Sequence, residues 1–172
     1  MTVAANMPVD GVEATVQRWG AQRPDLDVSP IAVIGWLTTA SRQIERRLSA
    51  VLTEYDLQSW EFDVLATLRT DGEPYEMCPG TIGGHLRVSN SAMTNRINRL
   101  EEAGLVERHF SPHNRRIIII RLTEQGVEVT NRAMNAYLAE GRNALEALSR
   151  EEVDQLCGLL RKLSTETTAE SE

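Results

Sequence analysis

A group of short polar side chains begins at Ser89, and two adjacent arginines follow further along the chain. Hydroxyl and amide groups donate and accept hydrogen bonds, and arginine presents a cationic fork that matches a phosphate. On one face of a helix, such side chains can hydrogen-bond base edges and phosphates at close approach. The residues that we predict as DNA contacts on this basis are Ser89, Asn90, Ser91, Thr94, Asn95, Arg99, Arg115 and Arg116.

The distribution of charge along the chain favours this chemistry more than the total charge does. The 172 residues carry a formal net charge of −7, whereas binding to DNA depends on neutralising phosphates with Lys and Arg. Residues 81–122, however, hold seven arginines and three glutamates, a local net charge of +4. The sequence therefore predicts a basic face on an acidic body.

The elements that must position these residues are visible in the spacing of apolar side chains. Ser89 predicts the N-cap of a helix with inward-facing apolar residues, and Gly104 predicts its end. A shorter helix is predicted to begin at Pro79. Two β-prone runs, residues 105–110 and 117–122, follow as a hairpin with a polar, basic tip. This order of elements is that of a winged helix-turn-helix.

Long amphipathic helices flank this unit on both sides. Ser29, directly before a proline, predicts the N-cap of one of them, and Thr123 predicts the cap of another. The segment Ser149–Glu152 has the spacing of a capping box that opens a last helix. We therefore expect a mostly α fold with a small β-hairpin wing.

Several classes of protein are disfavoured by what the sequence lacks. No apolar run approaches the roughly 18 residues of a membrane span, and Met1–Asp10 lacks the pattern of a secretory signal, so we expect a cytoplasmic protein without a membrane partner. Cys78 and Cys157 fit neither a disulfide framework nor a metal-ligand spacing. Without a phosphate-binding loop or a catalytic motif, we expect no enzyme, no cofactor and no metal.

Three segments together resemble the MarR family of transcriptional regulators. They are Met93–Arg108, Ser111–Arg116 and Leu122–Gly126, which are similar to the recognition helix, the wing and the start of the following helix. The resemblance covers about residues 29–163, and it implies a homodimeric regulator, predicted to be a repressor, that reads pseudo-palindromic double-stranded DNA. One position departs from the family: Asn114 stands where the family wing typically has Asp, so an ion pair within the wing is replaced by an amide.

The resemblance also implies a division of the chain. Interlocking first and last helices would form the dimer, and the winged unit would lie between them. The predicted regions are 1–28 for an N-terminal extension with an extra helix, 29–58 and 123–165 for the α-helical dimerisation region, 59–122 for the winged helix-turn-helix, and 166–172 for a flexible tail.

The N-terminal extension points to a sensor within this family. The segment Val16–Asp27 is similar to the leader of MarR proteins that respond to urate or to tricarboxylates such as aconitate. The effector residues that this resemblance implies are Trp19, Asp63, Arg96 and Arg108. An indole can stack on a planar ligand, and a guanidinium can bind its anionic oxygens. Since Arg96 belongs to the predicted recognition helix, a small anionic or aromatic effector would act on DNA binding through that helix.

Simpler roles stay open for the same side chains. Trp19 could hold the leader helix to the body, and Asp63 could pair with an arginine for structural reasons. Arg96 and Arg108 could contact phosphates. The other tryptophans, Trp36 and Trp60, are predicted to pack rather than to bind ligand. A second candidate anion site is the cluster of Arg42, Arg46 and Arg47.

An alternative function within the same family is a redox switch. Cys78 lies at the start of a predicted helix, where the positive end of the helix dipole can lower the pKa of a thiol. A cysteine that merely occupies a capping position explains the same pattern, and the sequence favours this simpler interpretation.

Overall fold

The structure, a computed structural model, describes residues 11–112 and 114–166. Residues 1–10, His113 and all of the predicted tail except Glu166 lie outside the described residues. The described part forms seven helices and three strands. They are α1 (Gly11–Gln22), α2 (Ser29–Thr53), α3 (Ser59–Thr70), β1 (Glu76–Met77), α4 (Pro79–Leu86), α5 (Asn90–Glu102), β2 (Val106–Phe110), β3 (Ile118–Leu122), α6 (Glu124–Ala144) and α7 (Arg150–Glu166).

The main core lies where α3, α4 and α5 meet the sheet. The predicted inward face of α5, Met93, Ile97 and Leu100, is almost entirely removed from solvent. Each such side chain contributes about 1.5–3 kcal/mol when it is fully buried. Gly104, which follows α5, has a φ of +72°, as the predicted helix end requires. The predicted fold, mostly α with a winged helix-turn-helix, is confirmed.

The wing belongs to a three-stranded antiparallel sheet in the order β1, β3, β2. Its hairpin pairs Val106 with Leu122 and Phe110 with Ile118. The short strand β1 was not predicted, because two residues carry no recognisable alternation of apolar and polar side chains. It contributes Glu76, whose carboxylate accepts hydrogen bonds from Arg121 of β3.

The end of the wing is fixed to the start of α6. Thr123 caps this helix as predicted: its Oγ1 accepts a hydrogen bond from the Gly126 amide at 3.0 Å and donates one to the Gly104 carbonyl at 2.7 Å. A methyl group added at Gly126 would lie 2.0 Å from the carbonyl oxygen of Leu105. Glycine is therefore required for the close approach of the wing strand to α6.

Helix α1 packs on α2, and α2 packs along α6. Val12 of α1 is fully buried against Gly35 of α2. A methyl group added at Gly35 would lie only 3.0 Å from the Val12 side chain. The prediction of Ser29 as the N-cap of α2 is wrong by one residue. Val28 occupies that position, while the Ser29 amide donates a hydrogen bond to the Asp27 carboxylate at 2.9 Å.

Two helices leave apolar side chains in contact with solvent. Over residues 150–164, α7 contains no buried side chain. None of the described helices is both long enough and apolar enough to cross a membrane. The exposed apolar residues of the two helices include Val33, Ile34 and Leu37 of α2 and Leu156, Leu159 and Leu163 of α7.

Candidate nucleic-acid interface and effector site

The polar face of α5 is open to solvent, while its opposite face forms the core. Ser89 caps the helix, since its Oγ accepts a hydrogen bond from the Ala92 amide at 3.3 Å. Thr94 Oγ1 donates to the Asn90 carbonyl at 2.9 Å, and its oxygen can still accept a hydrogen bond. All of the predicted contact residues of this helix and its cap are exposed, namely Ser89, Asn90, Ser91, Thr94, Asn95 and Arg99.

The tip of the wing presents Arg115 and Arg116, both exposed. Asn114 shapes the turn that carries them. Its Oδ1 accepts a hydrogen bond from the Arg116 amide at 3.0 Å, and its carbonyl accepts one from the Ile117 amide at 2.9 Å. The amide side chain at this position therefore organises the backbone of the wing without an ion pair.

Trp60, in the first turn of α3, contacts two arginines of α5. The guanidinium carbon of Arg99 lies 5.0 Å from the centre of the indole ring, and that of Arg96 lies 5.5 Å from it. Glu61, only 8% exposed, lies 3.7 Å from the guanidinium of Arg99. Sequence reasoning missed these contacts and treated the tryptophan as packing. The usable signal was the separation of the two arginines by three residues, which places them on one helix face.

Two of the four predicted effector residues come into electrostatic contact. Burial raises the pKa of the Asp63 carboxyl, and the positive charge of Arg96 opposes this without cancelling it. Tyr137 of α6 also senses this carboxylate: burial raises the pKa of its hydroxyl, and the negative charge of Asp63 raises it further. Asp63 therefore lies among groups from α5 and α6.

The other two predicted effector residues lie elsewhere. Arg108 donates a hydrogen bond to Asn98 Oδ1 at 2.6 Å and also binds the Glu101 carboxylate. Positions 96 and 98 differ by about 200° around an α-helix, so Arg108 occupies the opposite flank of α5 from Arg96. Trp19 lies exposed on α1.

A shallow apolar cleft of about 210 Å³ separates α1 from α2. The four predicted effector residues do not line it, so this cleft is distinct from the pair formed by Asp63 and Arg96. Its described lining consists of Val12, Glu13, Val16, Gln17, Ala32 and Trp36.

The alternative candidate groups are the arginine cluster of α2 and Cys78. In the cluster of Arg42, Arg46 and Arg47, the last donates to Glu140 at 2.5 Å, and Arg46 donates to the carbonyl of Arg42 at 3.2 Å. Cys78 occupies the N-cap of α4 without a side-chain capping hydrogen bond, and it is half-buried. Among the described residues, no group of three or more His, Cys, Asp or Glu side chains could hold a metal ion.

Comparison with known proteins decides the family. The family model described as "MarR family" matches residues 57–118, which run from just before α3 to the first residue of β3. The HTH-type transcriptional regulator PecS of Dickeya dadantii is 41% identical over 152 residues, covering 88% of this chain and 92% of its own. The chain belongs to the MarR family.

Solved MarR-family structures have the same fold. AbsC of Streptomyces coelicolor gives a TM-score of 0.72 at 23% identity, covering 84% of this chain and 97% of its own. A mutant of MarR from E. coli, in complex with operator DNA, gives 0.68 at 23% identity, covering 79% of this chain and 94% of its own. This chain is thus a DNA-binding transcriptional regulator rather than an enzyme, which confirms the predicted class of function.

Proposed function

We propose that this MarR-family chain is a ligand-responsive repressor that binds a pseudo-palindromic operator as a homodimer. A small anionic effector, such as urate or a tricarboxylate, releases it from DNA. The observation that carries the proposal is that the polar face of α5 and the two arginines at the tip of the wing are exposed, while the opposite face of α5 is buried in the core.

In this proposal, α5 enters the major groove and the wing contacts the backbone or the minor groove. The amides of Asn90 and Asn95 can each form two hydrogen bonds with a base edge, while Ser91 and Thr94 bind bases or phosphates. Arg99, Arg115 and Arg116 neutralise phosphates. Phosphate contacts supply affinity and register, and the base contacts supply sequence preference.

A homodimer accounts for the apolar faces of α2 and α7. A monomer would leave Val33, Ile34 and the exposed leucines of these two helices in water. It would lose about 25 cal/mol of stabilising free energy for each Å² of apolar surface that a partner could cover. We therefore assign residues 29–58 and 123–165 to dimerisation. Two-fold symmetry then places two winged units about one helical turn apart, roughly 34 Å, on a palindromic site.

The effector is proposed to act at the recognition helix. An anion bound by Arg96 would lie near the carboxylate of Asp63, so binding must displace or neutralise that negative charge. Arg108 can join the same ligand only if its guanidinium leaves Asn98 and Glu101. A ligand held by residues from both flanks of α5 would therefore shift this helix and weaken DNA binding.

The test is a footprint on the DNA upstream of the gene that encodes this protein, repeated with urate, aconitate and citrate. We expect a protected palindrome that is lost with one of these ligands. In Trp19→Ala we expect unchanged protection and a higher effector concentration for release, whereas Gln22→Ala, exposed on the same helix, should behave as wild type. Protection that persists with all three ligands would contradict the proposed response to an effector. Absence of a protected palindrome would contradict the proposed binding to a pseudo-palindromic operator.

No contact among the described residues specifically supports the alternative function of a redox switch. Cys78 is a half-buried thiol at the N-cap of the short helix α4, and no other observation points to redox chemistry there.

A further inference from the structure

We infer that Trp60 is a positioning residue that couples Arg96, of the proposed effector site, to Arg99, of the proposed DNA face. The inference rests on the proposed function for the roles of the two arginines. The inference goes beyond the proposed function by naming the side chain through which displacement of Arg96 changes the availability of Arg99 to DNA.

The indole is held in place by its own helix. Trp60 Nε1 donates a hydrogen bond to Gln58 Oε1 at 2.7 Å. The backbone amide of Gln58 in turn donates to Glu61 Oε2 at 2.8 Å, which closes the capping box of α3. A ring anchored in this way is a fixed surface, whereas the long arginine side chains on α5 are the parts that move.

The two guanidinium groups share this surface. Both lie within about 6 Å of the ring centre, the range in which a cation is attracted to the negative face of an aromatic ring. Like charges three residues apart on a helix also repel each other. Each arginine has one nearby carboxylate on α3, Glu61 for Arg99 and Asp63 for Arg96. The attraction of either arginine to the indole therefore depends on the position of the other.

This arrangement gives the coupling a direction. An anion that draws Arg96 away from the indole removes a neighbouring positive charge from Arg99. Arg99 is then held more firmly by Trp60 and Glu61, and it is less available to a DNA phosphate. Removal of the Arg96 side chain should have the same effect without any ligand.

The test is a double-mutant cycle read out by the Kd for the upstream DNA fragment, measured by fluorescence anisotropy at one fixed salt concentration. We expect Arg96→Ala to weaken binding about two- to five-fold when Arg99 is present, the size of one exposed cation–π contact. It should have no effect in the Arg99→Ala background. In Trp60→Leu the two changes should be additive, and in Trp60→Phe the coupling should be intermediate.

Additive effects in the chain with Trp60 would overturn the inference, as would coupling of the same size in Trp60→Leu, which would reflect direct repulsion between the arginines. If Trp60→Leu does not fold, the comparison is made with Trp60→Phe and with tetrafluorotryptophan at position 60, which keeps the shape of the ring and removes most of its attraction for cations. In that series coupling must fall with fluorination.

Because the cycle contains no effector, its result is separate from that of the footprint. Failure of urate, aconitate and citrate to release the wild-type protein would contradict the sensor assignment, and the cycle would still decide the role of Trp60.

Discussion

The arginines of the winged region differ in what they contact, although each adds one unit to the local charge. Arg108 and Arg121 bind carboxylates of neighbouring elements, Glu101 and Glu76 respectively. Arg115, at the tip of the wing, is exposed. A count of charges in the sequence therefore overstates the number of guanidinium groups that can reach a phosphate without rearrangement.

Replacing both wing arginines by alanine should weaken DNA binding and reduce its salt dependence. The slope of log Kobs against log salt should become shallower by about 0.9 for each phosphate that the variant no longer neutralises. Arg132→Ala is a matched control, because this exposed arginine pairs with Glu128 on α6. Equal slopes for wild type and Arg115→Ala/Arg116→Ala would show that the wing does not touch the DNA backbone.

Asp63→Asn should be at least as stable as wild type at neutral pH. Since burial raises the pKa of this carboxyl above its ordinary value of 3.8, the folded state binds its proton more tightly than the unfolded state. Ionisation of Asp63 thus costs stability, and the cost grows as pH rises from 3.8 through the raised pKa and stays in full above it. Because the Asp63 side chain is exposed and solvent screens its charge, the gain should be no more than about 0.5 kcal/mol, the size typical of surface changes.

Thermal melts of the two proteins between pH 3 and pH 8 check this. The difference in Tm should vanish at the acid end, where the carboxyl is protonated in both states. Asp56→Asn, at an exposed turn, serves as the control. A variant less stable than wild type at pH 7 would mean that the attraction to Arg96 outweighs the cost of burial.

At the scale of elements, helix starts were predictable where the cap and its target lie within one turn. Ser89, Thr123 and Ser149 all accept the expected hydrogen bond from the backbone amide three residues on. Ser29 failed because Asp27 competes for the same role and binds the Ser29 amide itself. Two capping-type residues that lie only two positions apart leave the helix start ambiguous by one or two residues.

Gly126→Ala should be strongly destabilising, since its methyl group would lie 2.0 Å from the carbonyl oxygen of Leu105, which is backbone and cannot rotate away. We expect the free energy of unfolding to fall by about 1–3 kcal/mol, the typical cost of overpacking a core. Gly84→Ala is the control, because that exposed helical site has open space and should gain up to about 1 kcal/mol. Urea unfolding monitored by circular dichroism measures both, and similar midpoints for the two variants would contradict the packing of the wing on α6.

At the scale of the whole molecule, the proposed dimer would cover the apolar side chains that α7 leaves exposed. Leu159→Arg, at a leucine that is 59% exposed, should convert the proposed dimer to a folded monomer. DNA binding should weaken, because two half-sites can no longer be engaged together. Asp154→Arg on the opposite side of the same helix is the control. Analytical ultracentrifugation gives the mass, and a Leu159→Arg protein that keeps the wild-type mass would exclude this face from the interface.

The sequence by itself determined what depends on neighbours within a turn or two. The apolar spacing of Met93, Ile97 and Leu100 specified which face of α5 is buried, and Gly104 specified where that helix ends. Because those patterns occur in the family's order, the fold class and the exposed face of α5 followed from residues alone.

Only the tertiary structure decided which side chains meet across elements. It placed the indole of Trp60 against Arg96 and Arg99, and it engaged Arg108 on the other flank of the same helix. Long, flexible arginines can reach several partners, and their choice depends on how α3 packs against α5. That packing is set by buried residues far apart in the chain, so no local pattern records it.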